Sequence, residues 1–265
     1  MYRKWGRTKP PPGASLDRGH PLAQQMLGVW LANEGSGRVV RDLMNGRNGA
    51  WSALPLWPNG KLGGPAMRFT GGINSVQIAD NNLWDPLGDF TLLSWVYYSV
   101  VSASFWLNSM IALDQGGGNQ TKWIFCVDPA GPGTYFFYYS GASQSIRSAA
   151  WTPAANIWYQ LAVTRRGALW TLYRNGVFDG ITVNAVSLAN AAIPLTIGFA
   201  EANSLNGLVD HVMMWNRALS AVEISQLYQE PFAMILSPRS ISYFVPQAFN
   251  PGRNQPGVVI GGGCI

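Results

Sequence analysis

Trp158-Tyr159-Gln160-Leu161-Ala162-Val163-Thr164, then Leu169-Trp170-Thr171-Leu172-Tyr173-Arg174, then Asn175-Gly176-Val177-Phe178 is the stretch on which the fold turns. The first two runs are rich in β-branched and aromatic residues and flank the turn signal Arg166-Gly167, as paired strands do. Asn-Gly between apolar runs then marks a two-residue hairpin, whose central residues must adopt positive φ. Strands joined this tightly are antiparallel, because a parallel pair needs a long crossover.

The same pattern extends in both directions. Phe90–Tyr98 is apolar on both faces, as a strand at the centre of a sandwich must be. Further strands are predicted at Met26–Leu31, Val39–Leu43, Ala66–Phe69, Ser75–Ile78, Ser109–Leu113, Trp123–Val127, Thr134–Tyr139, Pro194–Phe199 and Leu208–Trp215. Glycine and asparagine turns separate them, among them Gly71-Gly72 and Gly116-Gly117-Gly118-Asn119. One helix stands out. Ser220 and Glu223 form a capping box, Ile224, Leu227 and Tyr228 share a face, and Pro231 stops it. About a dozen short strands and a single helix indicate a sandwich or jelly roll.

With 48% hydrophobic residues over 265 positions, the chain can fill a large core. Charged residues make up only 12%, and their placement matters more than the net +5. Residues 1–20 carry five bases against Asp17, residues 231–265 carry Arg239 and Arg253 with no acid, and residues 21–230 hold 11 bases and 12 acids. The basicity thus belongs to the ends, and no concentrated patch suits nucleic acid. No apolar run approaches a membrane span, so no membrane insertion is expected. The N-terminus lacks the apolar stretch of a secretory signal. Cys126 reads as a buried thiol and Cys264 follows three glycines; nothing pairs them.

The ends read as arms. Lys9-Pro10-Pro11-Pro12-Gly13 favours an extended path, and residues 237–265 are punctuated by four prolines. We therefore divide the chain into a basic arm 1–20, a domain 21–230 and a second arm 231–265. Arg3, Lys4, Trp5, Arg7 and Lys9, with Tyr243, Phe244 and Phe249, are the residues expected to attach the arms to a partner or along the domain. A merely solvated basic tail is the competing reading.

Gly28–Gly37, Val40-Arg41-Asp42, Asn45–Gly49, Ala66–Phe69, Phe90–Val96, the paired strands quoted above and the closing run Leu208–Ser220 together resemble laminin-G-like, concanavalin-A-like jelly-roll domains. The resemblance covers residues 21–230 and implies an all-β sandwich of two antiparallel sheets. The flanks, Trp5–Pro11, Arg18–Leu22 and Leu227–Phe232, are similar to laminin-G-like proteins encoded by tailed phages and prophages. That sub-type implies a non-enzymatic virion component, made in the host cytoplasm. It would be held by its arms to capsid or tail subunits, in a closed homo-oligomer by default.

The resemblance further implies that Glu34, Asp42 and Asp210, with Asn45, could gather round a structural calcium ion. Alternatively, these side chains order their own turns. The aromatic excess raises a second function, binding of a host-surface glycan, with Trp106, Trp123, Tyr138 and Tyr139 as the residues to inspect, although burial competes for each. A third function, glycoside hydrolysis, needs two carboxyl groups flanking the bond. The densest acids, Asp80, Asp85 and Asp89, lie in a loop. His20 and His211 lack a partner at catalytic spacing, since alternation places Asp210 on the opposite face of its strand from His211. The expectation is that the protein is not an enzyme.

Overall fold

In the computed structural model, Asn175 and Gly176 both take positive φ, 53° and 78°, and Arg174 pairs with Val177 across them. The hairpin that decides the fold is therefore in place. The structure describes residues 7–236 and 238, apart from positions 86, 87, 117–120, 130, 132, 140–142, 149, 150, 187 and 189–191.

Two antiparallel sheets face each other. The seven-stranded sheet runs Val177–Val183, Leu169–Arg174, Trp158–Arg166, Phe90–Val100, Asn206–Trp215 and Met26–Trp30, with Met67–Thr70 also paired to Asn206–Trp215. The eight-stranded sheet runs Ser143–Arg147, Gly133–Tyr139, Lys122–Asp128, Ser109–Asp114, Leu195–Ile197, Val76–Ile78, Gly49–Trp51 and Val39–Val40. This is the jelly-roll sandwich that the sequence implies. Trp30, Trp84, Phe90, Trp123, Phe136 and Trp170 lie between the sheets, with Phe136 packed against the rings of Phe90, Trp123 and Trp170. The chain segment Pro194–Phe199 stays a strand only to Ile197, because Gly198 turns with φ 71°. Gly49–Trp51 and Ser143–Arg147 are strands that the sequence reading passed over.

Phe90–Val100 shows how the second layer arises. Phe90, Leu92, Val96 and Tyr98 point into the inter-sheet core, while Leu93 and Trp95 point outward into a separate cluster. That cluster is roofed by the helix Ala221–Gln229 and by both terminal segments. Ile224 and Leu227 come from the helix, Ala14 and Leu16 from one end, and Phe232, Met234 and Ile235 from the other. The helix begins at the predicted capping box, with Ser220 Oγ accepting from the Glu223 N–H. Ser15–Leu16 pairs antiparallel with Ile235–Leu236.

The two arms are thus part of the packed unit as far as they are described. Burying a large apolar side chain is worth about 1.5–3 kcal/mol, and residues 7–16 and 232–236 supply several. Proline blocks a ladder but not docking: Asn33 Nδ2 donates to the carbonyls of Pro10 and Pro11. Arg3, Lys4, Trp5, Tyr243, Phe244, Phe249 and Cys264 lie outside the described residues.

Candidate functional site

The roof over the seven-stranded sheet stops short. Beyond Trp95, whose ring stacks on Tyr228 of the helix at 5.5 Å, the outward positions of the central strand are Tyr97 and Ser99, both half-buried. The neighbouring strands contribute Arg68 and Leu208, which are paired in register and so share a face. The segment Leu56-Trp57-Pro58 forms the wall. Together these residues line an open groove of ≈ 500 Å³.

Its polar groups are braced. The Arg68 guanidinium donates to Ser99 Oγ at 2.7 Å and to Asn206 Oδ1 at 3.3 Å. The Tyr97 hydroxyl donates to Asn156 Oδ1 at 2.9 Å, and its ring lies 5.5 Å from that of Trp158. The Trp57 indole N–H donates to the Gly37 carbonyl, and its ring sits edge-on to Trp51 at 5.9 Å. Aromatic faces held rigidly beside fixed hydrogen-bonding groups can stack on the apolar face of a sugar ring and read its hydroxyls. None of Arg68, Tyr97 and Trp57 is among the residues singled out from sequence. The signal available was the alternation resuming at Tyr97 and Ser99 after the two-sided apolar run.

The residues named for glycan binding fare differently. Trp123 is buried between the sheets, stacked on Phe136 at 5.8 Å, and no sugar can reach it. Trp106 is half-buried in the 3-10 turn Phe105–Asn108, edge-on to Phe105, and packs on a small cluster of Ala112, Ile124, Cys126 and Ala200 on the other sheet. The backbones of Tyr138 and Tyr139 lie in their predicted strand, and their side chains fall outside the described residues.

The four residues proposed for calcium do not assemble into a shell. Asp42 accepts backbone N–H groups from Val29, Met44, Asn45 and Arg47, at 2.9–3.2 Å, which orders its own turn. Asn45 belongs to that same turn. Glu34 accepts from the Arg41 N–H at 2.8 Å, and burial raises its carboxyl above the usual range. Asp210 is committed to an ammonium. Among the described residues no group of three or more His, Cys, Asp or Glu could hold a metal ion.

Asp210 sits in a β-bulge. Between Val209 and His211 the register against Phe90–Val100 slips by one residue. An extra residue breaks the alternation, so Asp210 and His211 stand side by side, with His211 Nδ1 3.2 Å from Asp210 Oδ1. The expectation that they face opposite ways fails for this reason. Lys9 reaches in from the N-terminal segment and fills the place opposite. Its ammonium bonds the carbonyls of Pro65 at 2.6 Å and Asp210 at 2.8 Å, and the Asp210 carboxylate at 2.9 Å, so all three donors are used. Burial alone would raise the Asp210 carboxyl, but Lys9 and the His211 hydrogen bond hold it below its ordinary value. Lys9 is therefore an internal latch. Arg7, which stays exposed, lies on the end of the helix, donating to the carbonyls of Tyr228 and Gln229 and sitting over the Tyr228 ring.

His211 is wholly buried, and burial lowers its pKa below the ordinary 6.5. The unfolded chain then binds more protons than the native one as pH drops below that value. Stability is expected to be full above about pH 6.5 and to fall on acidification, by up to about 1.4 kcal/mol per pH unit. Thermal unfolding of the wild type and His211→Gln between pH 7.5 and 5.5 checks this. The variant's melting temperature should lose the dependence, and an equal slope in both proteins would assign it elsewhere.

Two acids meet across a lysine. Lys122 lies between Asp114 and Glu201, 3.4 Å from Asp114 Oδ1 and in contact with the Glu201 carboxylate, and so ties the turn at Glu201 to the sheet. Asp89 accepts from the Gly167 N–H.

The family profile described as the concanavalin A-like lectin/glucanases superfamily, Laminin_G_3, matches residues 70–225. The chain belongs to this superfamily. Other concanavalin A-like structures share its fold at low identity. Domain 4 of AbnA, a GH43 extracellular arabinanase from Geobacillus stearothermophilus solved with arabinotriose, is 16% identical at a TM-score of 0.61, over 82% of this chain and 100% of that one. The binding domain of Paraclostridial Mosquitocidal Protein 1 is 15% identical at a TM-score of 0.61, over 80% and 53%. Trypanosoma rangeli sialidase, in complex with the inhibitor DANA, is 15% identical at a TM-score of 0.55, over 77% of this concanavalin A-like chain and only 32% of the sialidase. No curated protein sequence matches the chain.

Proposed function

We propose that this chain is a non-catalytic carbohydrate-recognition module that holds a saccharide in the groove between Trp57, Tyr97 and Arg68. The observation that carries the reading is the uncovered half of the seven-stranded sheet, where braced aromatic and polar side chains face solvent while the rest of that face is roofed. An arabinanase domain solved with arabinotriose and a toxin's binding domain, both of this fold, support it. A glycan array probed with the wild type, Tyr97→Ala and Trp57→Ala tests it. Stacking contributes about 0.5–1.5 kcal/mol beyond area burial, and the lost contact area adds to it, so each variant should bind about tenfold more weakly, with or without a chelator, and no bound glycan should be cleaved. Unchanged binding by both variants, or release of cleaved sugar, would refute it.

A second reading concerns where the module is displayed. The flanking sequences resemble those of phage-encoded proteins, and both described ends run in one layer, where Ser15–Leu16 pairs with Ile235–Leu236. The residues before and beyond that layer could therefore fix the domain to a capsid or tail subunit and leave the groove open. Amine cross-linking of assembled particles checks this. Links from Lys4 to a neighbouring subunit are expected, and links confined to its own chain would count against a virion role.

A further inference from the structure

The groove carries a charge that its own neighbours do not neutralise. Arg68 is its one ionisable cation, and the other lining residues, Leu56, Trp57, Pro58, Tyr97, Ser99 and Leu208, include no acid. Among the described residues no carboxylate forms an ion pair with Arg68; its two partners, Ser99 and Asn206, are neutral oxygen acceptors. Of five guanidinium N–H donors, two are used in holding the plane in position. The side chain is half-buried, and its backbone is pinned on both sides, by the Arg68 N–H to the Leu56 carbonyl and by Asn74 Nδ2 to the Arg68 carbonyl. A guanidinium fixed in this way, with donors to spare and a low-dielectric wall, is suited to a planar oxyanion, which it can bind through two parallel hydrogen bonds. Three other cations are each met by a carboxylate, Lys9 by Asp210, Arg174 by Asp179 and Arg217 by Glu223.

We infer that Arg68 selects a saccharide bearing a carboxylate, a uronic or sialic acid, over its neutral counterpart. This rests on the carbohydrate reading of the groove. The sugar ring would lie against Tyr97 and Trp57 and its carboxylate against the free edge of Arg68. Because residues 21–230 are close to neutral overall, the preference is local and not a general attraction to anions.

Calorimetric titration of the full chain with two matched pairs tests the inference: trigalacturonate against galactotriose, and sialyllactose against lactose. At least one acidic member should bind about tenfold or more tightly than its neutral partner, the value of one charge-assisted hydrogen bond. Arg68→Gln should abolish that ratio, weakening the acidic member of each pair far more than its neutral partner. Arg68→Lys, which keeps the charge but not the fork, should retain only part of it, and it also serves if the glutamine variant does not fold. Equal affinity for both members of each pair, with Tyr97→Ala still weakening them, overturns the acidic preference alone. A ratio that survives Arg68→Gln overturns the role of Arg68. Absence of binding by any of the four overturns the inference, and the array described above shows whether the carbohydrate reading falls with it.

Discussion

Lys9→Met is expected to lower the free energy of unfolding by about 3–5 kcal/mol, the range for removing one partner of a buried ion pair. The magnitude follows from what remains. Asp210 would be stranded in a wholly buried site, where either its charge or its protonation carries a cost, and among the described residues the His211 ring and the Leu62 N–H, at 3.4 Å, would be left to meet it. Lys9 is not replaceable by water, since its ammonium also bonds the carbonyls of Pro65 and Asp210. Combining Lys9→Met with Asp210→Leu should recover at least half of the loss, because a hydrophobic pair of similar volume removes the stranded charge. Urea unfolding of the single and double variants against wild type measures both quantities. A loss below about 1 kcal/mol in the single variant, a size typical of exposed pairs, would place Lys9 in solvent and restore a free N-terminal arm.

Phe232→Ala should cost a comparable amount, about 3–5 kcal/mol. Phe232 is fully buried, touches the His211 ring at 5.3 Å, and belongs to the outer cluster with Trp95, Trp215 and Leu227. Removing the ring leaves a hole in the cluster that also holds the short ribbon of Ile235–Leu236 on Ser15–Leu16. The same unfolding experiment reads it. If Phe232→Ala proved nearly neutral, the segment after Glu230 would be a detachable arm after all.

Both predictions bear on what the sequence could and could not reveal. The sandwich was legible because its signals are local. Asn175-Gly176 dictates a hairpin, Ser220 and Glu223 dictate a helix start, and the two-sided apolar run at Phe90–Tyr98 dictates a covered central strand. The outer layer was half legible: a helix with Ile224 and Leu227 on one face must cover something, and an apolar Phe90–Tyr98 must be covered by something. Docking of the apolar segment after Pro231 was an expectation, but the cover from residues 7–16 was not legible, because proline and charge suggest exposure and the contacts join residues about two hundred positions apart. Lys9 is the clearest case. A lysine next to three prolines reads as solvated until a bulge about two hundred residues away turns Asp210 toward it.

The binding groove was less legible still. Aromatic content pointed to sugar recognition, but burial and not composition selects which rings are free. Trp123 followed the expected strand into the core, whereas Tyr97 reached the surface only because the roof ends beyond Trp95. Trp57 comes from the segment Leu56–Pro58, which showed no periodic pattern. The acids that the resemblance implies for calcium have local partners that the sequence did not disclose, Asp42 four backbone N–H groups and Asp210 the Lys9 ammonium.

The carbohydrate groove is the central claim, and the tryptophan indole signals in a ¹H–¹⁵N spectrum test it most directly during titration with the saccharide that scores highest on the array. The Trp57 and Trp158 signals are expected to shift together along one binding curve, while those of the buried Trp123 and Trp215 stay still. Saturable binding that leaves Trp57 and Trp158 unmoved would contradict the claim and put the saccharide somewhere else on the molecule.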